Sequence, residues 1–408
     1  MRDDTTGALA GLRLLGVARD RSVSGAHRSA NLRVATMKLT IERAGLLKAL
    51  SHVQSVVERR TTIPILSNVL LRAEAGRLAL SATDMDVEIV ERVPGQIERE
   101  GRTTAPAHTL YDIVRKLHEG AQVEIEASGE RNAMVLRSGR STFTLQCLPP
   151  EDYPLMASGE LPHNFALSAT ELRTLIDRTR FAISTEETRY YLNGIYLHTT
   201  KNEEVPVIRA VATDGHRLAR VELVLPEGAA GMPGVIIPRK TVLELRKLVE
   251  EGADEVQIAL SDTKIRFIVG EAALTSKLID GTFPDYDRVI PSNNDKILEV
   301  DCKSFAEAVD RVSTISTEKS RAVKLAIENG ILVVSATSPE NGTAVEELEV
   351  RYHASPLEIG FNSRYLLDIA EQIDGDGAQF VMSDAGSPTI VRDSADPSAL
   401  YVLMPMRV

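Results

Sequence analysis

The chain has 408 residues, of which 43% are hydrophobic and 26% charged, with a formal net charge of −11 and two cysteines. No apolar run approaches the ~18 residues that a membrane span requires, and the apolar-to-charged balance is that of a soluble globular protein. Cys147 and Cys302 stand far apart without a ligand cluster. A disulfide scaffold, a zinc site and a membrane protein are therefore excluded, the expected compartment is a reducing cytoplasm, and the acidic total argues by itself against nucleic acid.

Residues 1–36 carry six arginines against three aspartates, so residues 37–408 hold a charge of −14. This leader is rich in Gly, Ala and Ser and has no counterpart in the rest of the chain. It is expected to be a disordered extension or the product of a start codon placed too early, with Met37 the natural start. From Met37 onward four features recur in one order. Ser81-Ala-Thr-Asp84, Val211-Ala-Thr-Asp214 and Ser335-Ala-Thr337 each end a strand-like run, and their threonines are 130 and 124 residues apart. Helical periodicity fills Leu46–Val57, Leu172–Ile183 and Phe305–Ile315. A second helical run follows Pro106, Pro238 and Asn362, and alternating strands follow at 123–127, 256–260 and 379–383. Three tandem α+β domains are expected, at 37–157, 164–291 and 298–408, each a normal domain size and each with two helices on antiparallel sheets. Pro149–Pro154 and Thr282–Tyr286 read as linkers.

The second copy contains the clearest hairpin. Asp214-Gly215 between two alternating runs predicts a two-residue type I′ turn, with Ala212 opposite Arg217, Ala210 opposite Ala219 and Ile208 opposite Val221. That face belongs to the core. The other face, with Val211 and Leu218, is apolar too and predicts a further contact.

Chemistry-bearing motifs are sparse. The chain has no phosphate-binding Gly-Lys-Ser/Thr loop, no dinucleotide-binding glycine pattern, and no His-x-x-x-His or Cys-x-x-Cys pair. Asp84 with Asp86, and Asp214 with His216, are the candidates for a triplicated hydrolase or transferase. The turn already accounts for Asp214, and the third copy puts Ser338 where Asp84 and Asp214 stand. The predicted helices carry a net side-chain charge of +6 within a chain of −14. Basic helices in an acidic remainder point to one face meant for a polyanion.

Ala212-Thr-Asp-Gly-His-Arg-Leu-Ala219, Arg189-Tyr-Tyr-Leu-Asn-Gly194, Thr275-Ser-Lys-Leu-Ile-Asp-Gly281, Phe283-Pro-Asp-Tyr286 and Val402-Leu-Met-Pro-Met-Arg407 resemble the bacterial DNA polymerase III β subunit, the sliding clamp. The similarity runs from Met37 to Val408. It implies three clamp domains per chain and a ring-shaped head-to-tail homodimer around double-stranded DNA, with helices lining the hole and sheets outside. It also implies a processivity factor without a catalytic site or cofactor. A pocket for short peptides of the DNA polymerase III catalytic subunit, the clamp loader and other replication and repair proteins would comprise Leu192, Thr213, Gly215, His216, Arg217, Leu218, Pro284, Arg288, Val289, Val402, Met404, Pro405 and Met406. Adaptable methionines suit a pocket serving several partners. Arg60, Tyr190 and Tyr191 would face DNA, and charge and helix position add Arg239, Lys240 and Lys247. Phe143 and Leu145 would meet Ile315 of a second copy. His108 and Thr109 stand where the family often has basic residues, and Thr314 where a second apolar residue is common.

Overall fold

The computed structural model describes residues 37–407 except 129–131, 158, 251–253 and 317–320; the expected extension at 1–36 lies outside the described residues. The first repeat runs β1 (Met37–Glu42), α1 (Arg43–Val53), β2 (Asn68–Glu74), β3 (Arg77–Thr83), β4 (Val87–Pro94), β5 (Gln96–Arg99), β6 (Gly101–Pro106), α2 (Ala107–Lys116), β7 (Gln122–Ser128), β8 (Ala133–Ser138) and β9 (Ser141–Gln146). The second runs β10 (His163–Ser168), α3 (Ala169–Arg180), β11 (Gly194–Asn202), β12 (Val205–Thr213), β13 (Arg217–Val224), β14 (Val235–Pro238), α4 (Arg239–Glu250), β15 (Glu255–Leu260), β16 (Lys264–Val269) and β17 (Ala272–Lys277). The third runs β18 (Lys296–Asp301), α5 (Cys302–Ser313), β19 (Ala322–Glu328), β20 (Ile331–Ser338), β21 (Gly342–Glu349), β22 (Arg351–Tyr352), β23 (Leu357–Asn362), α6 (Ser363–Ala370), β24 (Gly377–Met382), β25 (Thr389–Asp393) and β26 (Ala399–Leu403). Each repeat is thus itself double. A strand, a helix and three antiparallel strands are followed by a second set of the same kind, with β5 and β22 as additions.

Each helix begins where a strand ends, and side chains at the junctions stop the strand. Ser168 accepts from the Glu171 amide at 3.1 Å while the Glu171 carboxylate accepts from the Ser168 amide at 2.8 Å, a reciprocal cap for α3. Asp301 caps α5 and Asn362 caps α6 in simpler form. The buried side of α3 is Ala169, Leu172, Leu175, Ile176 and Thr179, the spacing of one helical face. Within each repeat the two helices pack on each other, and α4 also touches α1. The helices α1, α3 and α5 end earlier than their apolar periodicity. Val56, Val57, Ala182 and Ile183 lie beyond the helix ends in turns, yet all are buried. Periodicity records burial, and burial outlasts the helical hydrogen bonds.

The sheets ignore the repeat boundaries. One runs β10-β15-β16-β17-β4-β3-β2-β6, and another β14-β11-β12-β13-β26-β25-β24-β18-β22. In both, the outer strand of a three-strand set pairs with the outer strand of a set from the next repeat: β4 with β17, and β13 with β26. Two sets are left over, ending in β9 and β21, and each of these strands pairs on one side only among the described residues.

The hairpin at 205–224 departs from the expected register. Ala212 faces Ala219, Ala210 faces Val221 and Ile208 faces Leu223. The loop has four residues, because Thr213 Oγ1 donates to the Arg217 carbonyl at 2.7 Å and Asp214 Oδ1 accepts from the His216 and Arg217 amides at 2.9 and 3.0 Å. Only Gly215 takes a positive φ, +89°. The shift is an even number of residues, so the faces are preserved. Ile208, Ala210, Ala212, Ala219 and Val221 are fully buried in the main core, while Val211 and Leu218 enter a separate apolar cluster on the opposite face. Thr83 and Asp84 make the same turn, with bonds of 2.8, 2.9 and 2.7 Å, and Ser338 accepts from two amides in the third repeat.

The segments read as linkers do more than connect. Tyr153 is buried with Ile65, Leu66 and Leu70, and its hydroxyl donates to the Ser81 carbonyl at 3.1 Å. Tyr286 is buried with Phe283 in the other outer cluster.

Candidate functional site

The outer cluster on the second hairpin is assembled from three distant pieces of chain. Leu218 on β13 lies directly opposite Val402 on β26, and both pack with Leu192, Val211, Ile236, Phe283 and Tyr286. Phe283 stacks on Tyr196 with ring centroids 4.9 Å apart and fixes the segment that carries Pro284, Arg288 and Val289. Beyond β26 the Met404 amide donates to the His216 carbonyl at 2.9 Å, and the Met406 amide donates to Gly360 at 2.9 Å. Met404 therefore lies beside the rim set by Thr213, Gly215 and His216, and Met406 is held against β23. The cluster has buried leucine and valine at its centre, and the segments around it leave Met404 and Val289 exposed, 41% and 48% accessible. Such a rim can close on an extended apolar segment.

Arg217 makes its side-chain contacts with residues outside that cluster. Its side chain points to the opposite face of the hairpin, where it pairs with Asp214 and Asp368, donates to the Phe181 carbonyl at 2.6 Å and lies 4.3 Å over the Tyr365 ring. It ties the hairpin to α6 and contributes its backbone to the rim. Arg189, which sequence reasoning left out, leans over the turn instead. Its Nη1 is 2.5 Å from where a Cβ on Gly215 would sit, and the Gly215 φ of +89° favours glycine there. The signal lies in the same Arg189-Tyr-Tyr-Leu192 motif that carries the tyrosines and the leucine.

The junction between the first and second repeats lacks such a floor. The positions matching Leu218 and Val402 are Glu88 and Thr275, again directly opposed. Glu88 is buried, and that burial raises its pKa even though the Met156 amide and nearby Arg266 and Lys264 oppose it.

Three family models match in order: the N-terminal domain of the DNA polymerase III beta subunit at 37–157, the central domain at 166–285 and the C-terminal domain at 287–407. The chain belongs to the DNA polymerase III beta subunit family. The beta sliding clamp of Caulobacter vibrioides is 59% identical over 372 residues, covering 91% of this chain and all of that protein. The clamp of Escherichia coli K12 is 40% identical over 373 residues, with 91% and 100% covered. Among solved structures, the Caulobacter crescentus beta sliding clamp superposes with a TM-score of 0.90 at 58% identity, covering 92% of this chain and all of that one. A Bartonella birtlesii clamp bound to griselimycin gives 0.89 at 53%, with 91% and 100% covered.

In this beta-subunit chain the expected DNA-facing residues divide. Arg60 is exposed after α1, Arg239 is exposed at the start of α4, and Tyr190 is exposed edge-on to Tyr191, with ring centroids 5.8 Å apart. Lys240 instead reaches back to the first repeat, pairing with Asp84 at 2.5 Å and donating to the Val56 carbonyl at 3.1 Å. Lys247 pairs with Glu244 at 2.8 Å, and Glu244 also accepts from Ser55. Their charge is engaged at the junction between repeats. His108 is likewise taken up, bonding Gln54 at 2.8 Å and the Val57 carbonyl at 3.0 Å, whereas Thr109 is exposed. Leu145 is buried and Phe143 half-buried on β9; Ile315 is half-buried after α5, and Thr314 is exposed.

The catalytic alternative finds no support. Asp84 and Asp214 are turn caps in different repeats, Asp86 pairs with Lys277 at 2.9 Å, and His216 is an exposed rim residue. Burial would raise the Asp84 pKa, but Lys240 and the turn amides outweigh it and lower it, which makes Asp84 a poor proton acceptor. Among the described residues no group of three or more His, Cys, Asp or Glu is placed to hold a metal, and no helix is long and apolar enough to cross a membrane.

Proposed function

We propose that two copies of this chain close head to tail into a ring around duplex DNA and act as a sliding clamp, without chemistry of their own, holding polymerases and other DNA enzymes by peptides seated in the groove. The unmatched sheet edges carry this reading. The chain joins its three-strand sets twice, β4 to β17 and β13 to β26, and leaves β21 and β9 as the corresponding pair. A third junction of the same kind requires a second copy, and using both ends of both chains closes the assembly.

The side chains at those edges suit the contact. Val345 on β21 is 65% exposed beside Glu346 and Glu347. On the other edge, Phe143 flanks a depression of about 700 Å³ lined by Ile113, Lys116, Leu117 and Arg140. Apolar groups meet apolar groups, and acidic residues meet basic ones. Phe143 and Leu145 would receive Ile315 of the other copy there. Arg60, Arg239, Tyr190 and Tyr191 would touch the DNA backbone, with Lys240 and Lys247 holding the junction behind them. A ring needs no base readout, and weak phosphate contacts permit sliding.

The test is retention on DNA. Protein loaded with clamp loader and ATP on nicked circles should remain bound in high salt, which removes phosphate attraction, and should leave when the circle is cut. Loss from circles and linear DNA alike would mean ordinary electrostatic binding and would remove the ring.

A further inference from the structure

The groove does not account for Arg220. It lies two residues from Leu218 on β13 and therefore shares the outer face. It stands opposite Val211 on β12 and Leu400 on β26, both of which pack in the groove cluster. The next charges on that face are already matched. Arg209 binds Glu222 at 2.9 Å and the Tyr286 hydroxyl at 2.8 Å, and the second Glu222 oxygen accepts from Asn202. Asp287 lies 4.0 Å from Arg209 and is mostly exposed. The Arg220 guanidinium makes no hydrogen bond or ion pair with any described residue, although Glu222, Tyr286 and Asp287 act on it at longer range. Burial, and then the Arg209 charge, push its guanidinium below its ordinary value; for Arg209 itself burial is outweighed by Tyr286 and Glu222. Arg209 thus has a carboxylate and a hydroxyl to donate to, and the Arg220 guanidinium has neither.

We infer that Arg220 reads a carboxylate in the peptide that occupies the groove. This rests on the groove reading given above and adds the chemistry of the occupant. The peptide's apolar side chains cover Leu218 and Val402. Arg220 lies about 6.6 Å further along the strand, two residues of extended chain. A carboxylate within one or two residues of the apolar anchors meets the guanidinium fork with two N–H donors. A lysine at the same place meets an uncompensated cation, so the arginine also rejects basic peptides. The carboxylate is that of an Asp or Glu side chain or of a free C-terminus.

The full chain is titrated with labelled hexapeptides carrying two leucines. One set has Asp beside them and an amidated end, a second has Asn and an amidated end, and a third has Asn and a free carboxylate. The wild type should bind an acidic peptide about tenfold more tightly than the Asn amide, the yield of one charge-assisted pair. Whichever acidic set shows the gain identifies the source. Arg220→Met should bring the ratio close to one. Arg220→Glu should reverse it in favour of a peptide with Lys at that position, a reversal that loss of folding does not produce. Equal binding of acidic and neutral peptides by the wild type, or a preference that survives in Arg220→Met, overturns the inference and leaves the groove standing. No binding of any peptide by the wild type overturns both.

Discussion

Arg217, in the turn of the second repeat, holds Asp368 of α6 in the third repeat at 2.5 Å. The same guanidinium closes on Asp214 in its own turn, on the Phe181 carbonyl and over two aromatic rings, with its side chain only 9% exposed. Arg217→Ala leaves two carboxylates without their cation. It is expected to lower stability by about 3 kcal/mol, measured as a shift in urea midpoint. Arg217→Lys should recover little, since an ammonium cannot serve these partners together. An unchanged midpoint would show that the contact does not bind the repeats.

Asp214→Ala tests the turn itself. Two amides lose their acceptor, and a cost of about 1–2 kcal/mol is expected, with weaker peptide binding as the Met404 rim loosens. Asp84→Ala should cost at least as much, because Lys240 also loses its partner. Differential scanning calorimetry on both variants compares them directly.

Met404 is exposed and belongs to the rim of the proposed groove. Met404→Ala should weaken peptide binding about five- to tenfold while leaving the melting temperature within a degree or so of wild type, the behaviour of a contact residue outside the core. A fall in melting temperature equal to that of a core truncation would make Met404 structural.

The two free edges predict oligomeric state. Ile315→Asp or Phe143→Asp should convert a dimer to a monomer at micromolar concentration by light scattering, since each places an unpaired charge in an apolar contact. Variants that remain dimeric would place the contact elsewhere.

Asp396 links the second and third repeats through Arg178 at 2.6 Å. Burial alone would raise its carboxyl, but bonds from Ser398 and the pair with Arg178 hold it at about 2, against 3.8 unperturbed. Its folded value is below its unfolded one, so its stabilising contribution is complete above about pH 4 and is lost as the pH falls toward 2. The melting difference between wild type and Asp396→Asn should therefore shrink across that interval.

Much of this was legible in the chain. The three threonines marked the repeat, and the two apolar faces of the hairpin marked the core and the outer cluster. The register was not legible from Asp-Gly alone, because side-chain oxygens of Thr213 and Asp214 close a wider turn than the backbone signal suggests. The first repeat held the clue. Met85 stands where Gly215 does, and two adjacent positive φ angles are foreign to such a sequence. The pairing of β13 with β26 was hidden for a different reason: strand partners far apart in sequence share no local pattern. Lys240 and Lys247 looked free because helix position reveals the side chain's face and not the carboxylate waiting on another repeat.

The bridge between β13 and β26 also bears on synthesis. When the ribosome has made the second repeat, β13 is already formed but its neighbour, Ala399–Leu403, has yet to be translated. The nascent chain carries an open strand edge through the whole of the third repeat's production. A message cut short between the end of the second repeat and residue 399 would yield two repeats with the β13 edge left unpaired.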